Sequence, residues 1–203
     1  MDYIYLQEEE EGEEEEEMCT QRFDILLQKL MKSRTIVIAD EITKQLAQRV
    51  LAQLLILEQE SPKEDIKIFI NSPGGDADAG FAIYDMMRFI KPKVKAICAG
   101  VAASAAVIIL IGAKKEYRFS LENSRILIHQ PSTGVHGTAS DIQIEASEIL
   151  KCREKINKLI AVETGQKVEK VENDTKRNYW MSAEEGIKYG LLNKIVKTLD
   201  DIK

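Results

Sequence analysis

GVAASAAVIILIG, residues 100–112, joins small residues to a branched apolar run with a single hydroxyl, Ser104. Extended to residues 96–113, the stretch has 18 positions without a charge, the lower limit for a bilayer-spanning helix. Gly100 splits it. VKAIC on the left is short and β-prone, whereas the part on the right is rich in Ala and Ile. A strand, a glycine turn and a buried helix therefore explain the run better than a membrane span does. Ser104 then sits near the mouth of that helix, either as filler among alanines or as a working group.

Outward from this point, strands and helices alternate. FDILLQKLMKS, from Phe23, has near-helical apolar spacing, RTIVIAD (34–40) is β-branched, and 42–60 is amphipathic until Ser61-Pro62 stops it. IKIFI (66–70) predicts a strand followed by the turn NSPGG, and 77–90 a helix closed by Lys91-Pro92. YRFS and RILI read as strands around a turn at Asn123-Ser124. QPSTGVHG reads as a loop or irregular strand, and a long helical pattern runs from about Ser140 to Val162. Ser182 to Glu185 is a capping box opening a short helix that Gly190 closes, and KIVK is a terminal strand. The alternation predicts an α/β domain with a mostly parallel sheet. Sites in such sheets form beyond the carboxyl ends of strands, where NSPGG, GVAAS and HQP all fall.

Of 203 residues, 44% are apolar and 31% charged, as in ordinary globular chains, and 203 is within the range of one domain. The net charge of −6 is local. Nine of the 34 acids lie between Glu8 and Glu17 with no Lys or Arg among them, and the remainder carries 25 acids against 28 bases. That balance offers no nucleic-acid-binding surface. MDYIYLQ lacks the features of a secretory signal. Cys19, Cys98 and Cys152 are odd in number and widely spaced, which does not suit a disulfide framework. Two histidines and no paired cysteine motif leave no zinc set, so no metal is expected. These features point to a cytoplasmic protein with reduced thiols.

A helix N-terminus stabilises developing negative charge, so a serine there has a use as a nucleophile. It needs a base and oxyanion donors besides. His129, directly after RILI, is one candidate base, and Gly74-Gly75 bring backbone amides close to a substrate. Taken singly, Ser104 suits a packed helix, His129 a strand end and NSPGG a turn.

Together and in order they do more. NSPGG, AIYDMMRFIKPKV, ICAGVAASAA, NSRILIHQP and YWMSAEEGIKYGLL make the chain resemble the ClpP proteases from about Phe23 to Val196. The resemblance implies a ClpP/crotonase-like α/β fold, with residues 1–20 as an acidic axial-loop segment and 21–203 as one peptidase domain. A protruding handle, strand plus long helix, would span about 130–163. It implies a serine endopeptidase with Ser104 as nucleophile, His129 as base and the amides of Gly75 and Ala105 as oxyanion donors. It further implies two stacked rings of seven subunits enclosing a chamber. Unfolded polypeptides would be delivered by an AAA+ unfoldase of ClpX, ClpA or ClpC type. ATP would be spent by that partner, with no cofactor, membrane or nucleic acid needed here. A crotonase-type acyl-CoA enzyme shares the amide oxyanion hole, but GVAAS, HQP and the handle disfavour it.

Four departures from the family pattern matter. The third triad member, an Asp in the family, falls on Asn178. Asn accepts the same hydrogen bond without charge, and the serine-protease template loses about 10⁴ in turnover on that change. Lys176, beside Arg177 at the ring–ring contact, stands where an acid is usual. The mismatch suggests a second-type subunit whose ring pairs with a paralogous ring, or a catalytically silent ring subunit. Val101 replaces Gln, and Ala105-Ala106 replaces Met-Gly, which keeps an amide at 105. The acidic segment would surround the pore entrance with negative charge. Deleting residues 8–17 is expected to speed entry of acidic peptides at low salt; an unchanged rate of peptide entry would count against that role.

Overall fold

The computed structural model describes residues 25–202, so the acidic stretch 8–17 and Cys19 lie outside the described residues. The described residues divide into two compact units, with the boundary between Thr35 and Ile36. In the first, helix α1 (25–32) ends where Ser33 Oγ donates to Leu30 O and Arg34, at φ 52°, donates its amide to Met31 O.

The second unit is built on a sheet whose elements alternate as the apolar patterning requires. Strands β1 (Thr35–Ile38), β2 (Ile66–Ser72) and β3 (Val94–Ala103) lie side by side. Helix α2 (Lys44–Glu60) is opened by Thr43, whose Oγ1 accepts from Leu46 N. Helix α3 (Ala77–Phe89) is capped likewise by Asp76, whose carboxylate accepts from Ala79 N. Each cap satisfies an amide that the first helical turn leaves open. Helix α4 (Ala105–Gly112) follows β3 after one residue, and all eight of its residues are buried. Helices α2, α3 and α4 pack in succession.

Beyond β3 the sheet forks. β2 runs parallel to β3 along one edge, from Ile66↔Val94 to Ile70↔Cys98, then slips at a bulge so that Ser72 faces Ala102. On the other edge, β4 (Arg118–Ser120) pairs with residues 96–98, and β5 (Arg125–Ile128) pairs with 101–103, both in parallel. YRFS and RILI thus do not pair with one another across the turn. Gly100 corrects a second expectation: it is no turn, because β3 continues through it to Ala103. Polar side chains bridge the fork. Ser124 Oγ donates to Cys98 O at 2.9 Å and accepts from Gly100 N at 3.2 Å, while Asn71 Oδ1 accepts from Val101 N at 3.1 Å. A Cβ on Gly100 would lie 2.4 Å from Asn71 Oδ1.

Helix α5 (Ala139–Thr164) is opened by a Thr138/Asp141 capping box and closed by Gly165 at φ 78°. Its first half is exposed, with Ile144 60% accessible, whereas Ile156, Asn157, Ile160 and Ala161 are buried. Of the strand and long helix expected over about 130–163, α5 is a long helix and residues 130–137 form no strand within the chain. Strand geometry requires a hydrogen-bonding neighbour. Helix α6 (Val168–Asp174) and strand β6 (Tyr179–Ser182), which sequence reading passed over, come next. The predicted capping box at Ser182/Glu185 opens α7 (Ala183–Tyr189), Gly190 closes it, and β7 (Lys194–Ile195) adds to β4. Among the described residues no helix is long and apolar enough to cross a membrane.

Arg118 clamps this frame from within. It is fully buried, and its guanidinium donates to Ala113 O at 2.8 Å, Ile111 O at 3.0 Å and Glu163 O at 2.9 Å, besides pairing with the Glu163 carboxylate. Arg88 and Tyr84 of α3 bond the same carboxylate at 2.7 and 3.0 Å. Burial, and then the bond to Glu163, push the Tyr84 phenol above its ordinary value. Arg118→Met takes the donor away from the carbonyls of Ile111, Ala113 and Glu163, while the Glu163 carboxylate keeps Arg88. At about 1–3 kcal/mol for each buried group left unsatisfied, a loss of at least about 3 kcal/mol is expected. Urea denaturation at fixed protein concentration checks this.

Candidate active site

Ser104 occupies the single residue between β3 and α4, at φ 56° and ψ −121°. A non-glycine residue at positive φ is strained and has to be held there. Its amide donates to Leu127 O of β5 at 3.0 Å, its carbonyl accepts from Val107 N at 2.9 Å, and its hydroxyl makes no capping bond. A tight strand-to-helix turn of this kind lifts a side chain clear of the sheet.

Gly74 and Gly75, at φ 97° and 147°, bring the NSPGG segment against that turn. A Cβ on Gly74 would lie 2.5 Å from Ala103 O and 2.7 Å from Ser104 Cβ. Ile42 forms a parallel bridge with Gly75, its N–H donating to Gly74 O and its carbonyl accepting from Asp76 N, both at 2.8 Å. In that pattern the N–H of Gly75 faces away from Ile42. Ala105 is the first residue of α4, so its amide has no acceptor within the helix. Gly75, Ser104, Ala105 and His129 line one cavity of about 180 Å³. Val107, Ile108, Ile128, Ile156 and Ile160 supply apolar wall around it.

His129 follows the last residue of β5, and Asn178 precedes the first of β6. The two strands pair antiparallel, Arg125↔Ser182 through Ile128↔Tyr179, with Arg125 over the Trp180 ring at 4.2 Å. Diagonal contacts of this sort support strand pairing. One step beyond the ladder, His129 Nδ1 and Asn178 Oδ1 lie 3.1 Å apart. An amide oxygen accepts only, so in this contact Nδ1 carries the proton and Nε2 is left as the basic nitrogen. Asp174 is not a substitute for Asn178, since its carboxylate already accepts from Lys170 Nζ at 2.6 Å and Tyr189 Oη at 2.9 Å.

Lys176 and Arg177 are exposed on the turn before Asn178, and Lys176 Nζ donates to Asn173 Oδ1 at 2.7 Å. Burial pushes the Cys98 thiol up to about 11 and raises that of Cys152, so neither is a ready nucleophile. Among the described residues no group of three His, Cys, Asp or Glu is placed to hold a metal. Sequence reading missed how Asn178 reaches His129, although the aromatic pair Tyr179-Trp180 ahead of Met181 was a signal for β6.

The sequence profile described as Clp protease matches residues 16–199. The chain belongs to the Clp protease family of proteolytic subunits. It is 52% identical over 179 residues to ATP-dependent Clp protease proteolytic subunit 2 of Treponema denticola, covering 88% of this chain and 90% of that one. The protein of the same name from Treponema pallidum is 46% identical over 178 residues, 88% of this chain and 89% of that one. A solved structure of an asparagine-to-aspartate mutant of ClpP1 from Listeria monocytogenes matches with a TM-score of 0.81 and 47% identity, covering 88% of this chain and 99% of that one.

Gly74→Ala drives a methyl group into the Ser104 turn. Misplacing a reacting group by about 1 Å costs about 10²-fold, so acylation of Ser104 by a fluorophosphonate is expected to fall by at least that much. Labelling rates for the variant and the unaltered protein, compared in assemblies of equal sedimentation, check it.

Proposed function

We propose that the chain is a serine endopeptidase subunit of an ATP-dependent Clp protease, slow by itself because its third triad position is Asn178. The observation that carries this reading is the shared cavity of Ser104, His129, Gly75 and Ala105, with His129 Nδ1 held by Asn178 Oδ1. Ser104 Oγ attacks the peptide carbonyl as His129 Nε2 takes its proton. The N–H groups of Gly75 and Ala105 receive the oxyanion. The same proton then goes to the leaving amine, and water repeats the cycle on the acyl-serine. Apolar walls beside Ser104 suit an apolar substrate side chain.

Asn178 orients the ring but brings no charge to stabilise the imidazolium. An amide turned by 180° would present NH₂ to Nδ1 and favour the unproductive tautomer. The subunit works in the cytoplasm, without metal or organic cofactor, in two stacked heptameric rings served by an AAA+ unfoldase of ClpX, ClpA or ClpC type. Lys176 and Arg177 put two positive charges at the ring–ring contact. Repulsion between identical rings then favours pairing with a paralogous ring that carries acids there. Asn178 and these charges also support a second reading, a catalytically silent ring that shapes a mixed complex.

Fluorophosphonate labelling separates the two. The unaltered protein, Ser104→Ala and Asn178→Asp are compared, each alone and with a conventional paralogous ring. Slow labelling that Asn178→Asp speeds by orders of magnitude, up to about 10⁴, is expected, with none in Ser104→Ala. Absence of labelling in every condition would leave the silent ring.

A further inference from the structure

His129 is gripped on both sides. Toward β5 the ladder ends at Ile128↔Tyr179. On the far side Gln130 closes a second clamp on the same turn, its N–H donating to Thr175 O at 2.7 Å and its Nε2 to Lys176 O at 3.0 Å. The carbonyl of Thr175 is therefore the main-chain anchor that sets the height of the His129 segment against Asn178, three residues on. Thr175 itself is 1% exposed, at the end of α6. Its Oγ1 lies 2.8 Å from Val171 O and 2.9 Å from Asn157 Oδ1, and Asn157, also 1% exposed, belongs to the buried half of α5.

A hydroxyl has one proton and gives it to one acceptor. Turning the Asn157 amide by 180° lets its NH₂ donate to Thr175 Oγ1 while Thr175 donates to Val171 O, which satisfies all three groups. Two polar side chains at this depth are worth their desolvation only when bonded. An apolar pair would fill the space as well, so this contact has a use beyond packing.

Building on the Ser104–His129–Asn178 reading, we infer that Thr175, held by Asn157, is a positioning residue that fixes His129 in its productive tautomer through Gln130. Helix α5, whose other half is exposed, thereby reaches the segment of the base through two hydrogen bonds, Asn157 to Thr175 and Thr175 to Gln130, and no catalytic atom of its own.

The chain has two histidines, His129 and His136, so ¹⁵N-histidine NMR of the sedimented full-chain assembly reads each ring directly, whether or not the protein is active. The unaltered protein is expected to show His129 with its proton on Nδ1. Thr175→Val should shift it toward the Nε2–H form, Thr175→Ser should restore it, and His136 serves as the internal reference. Acylation of Ser104 should fall about tenfold in Thr175→Val and show no further fall when the change is made in Asn178→Ala. If Thr175→Val does not assemble, Asn157→Ala, which removes the partner of Thr175 Oγ1, carries the test: a shift in the same direction supports the inference and an unchanged signal overturns it. A His129 signal altered by Asn178→Ala but not by the Thr175 change overturns the inference and leaves the catalytic pair standing. One altered by neither overturns both.

Discussion

Strand β3 changes neighbours along one edge, from β4 at residues 96–98 to β5 at 101–103, without breaking. A ladder that exchanges partners leaves amide and carbonyl groups facing a gap, and buried groups of that kind cannot stay open. Ser124 fills the gap on one side and Asn71 on the other. Because β5 joins at the upper end, Leu127 is in place to accept from the amide of Ser104. That bond helps hold the strained turn, and His129 follows two residues after its acceptor.

The remaining parts of the site depend on how closely backbones approach. Gly74 and Gly75 stand where side chains would collide with Ala103, Ser104 and Ile42. The short loop between β2 and α3 thereby supplies an outward amide at Gly75, and the first amide of α4 supplies its neighbour. Neither donor belongs to a side chain. Substitution relative to the family pattern at 105, which lines the cavity, leaves the backbone amide there, and Ala106 lies buried outside the cavity wall.

Asn178 ties these elements to the far end of the chain. Strand β6 runs back along β5, so the turn after α6 lies over the segment after β5. Thr175 and Gln130 join the two segments there, and Asn157 connects both to α5. The exposed half of α5 runs on into the buried half that carries Asn157, and Arg118 and Glu163 lock the C-terminal end of that helix to the sheet.

The α/β class, the strand–helix order and the caps at Ser182 and Gly190 were legible in the sequence, because each rests on local periodicity or on a residue's own conformational range. Ser104 and His129 stood out as motifs at the ends of strands. Gly100 was misread as a turn because a glycine inside a strand and a glycine ending one look alike until the partner strands are placed. The resemblance had matched Asn178 to the third triad position, and only tertiary structure supplied the pairing of β5 with β6 that brings it to His129. Those residues are 49 positions apart, and the register that joins them is chosen by burial of one strand face against the core. The same holds for Thr175 and Asn157. Polar residues on helices give no sign in one dimension of being buried, and it was packing that made them partners.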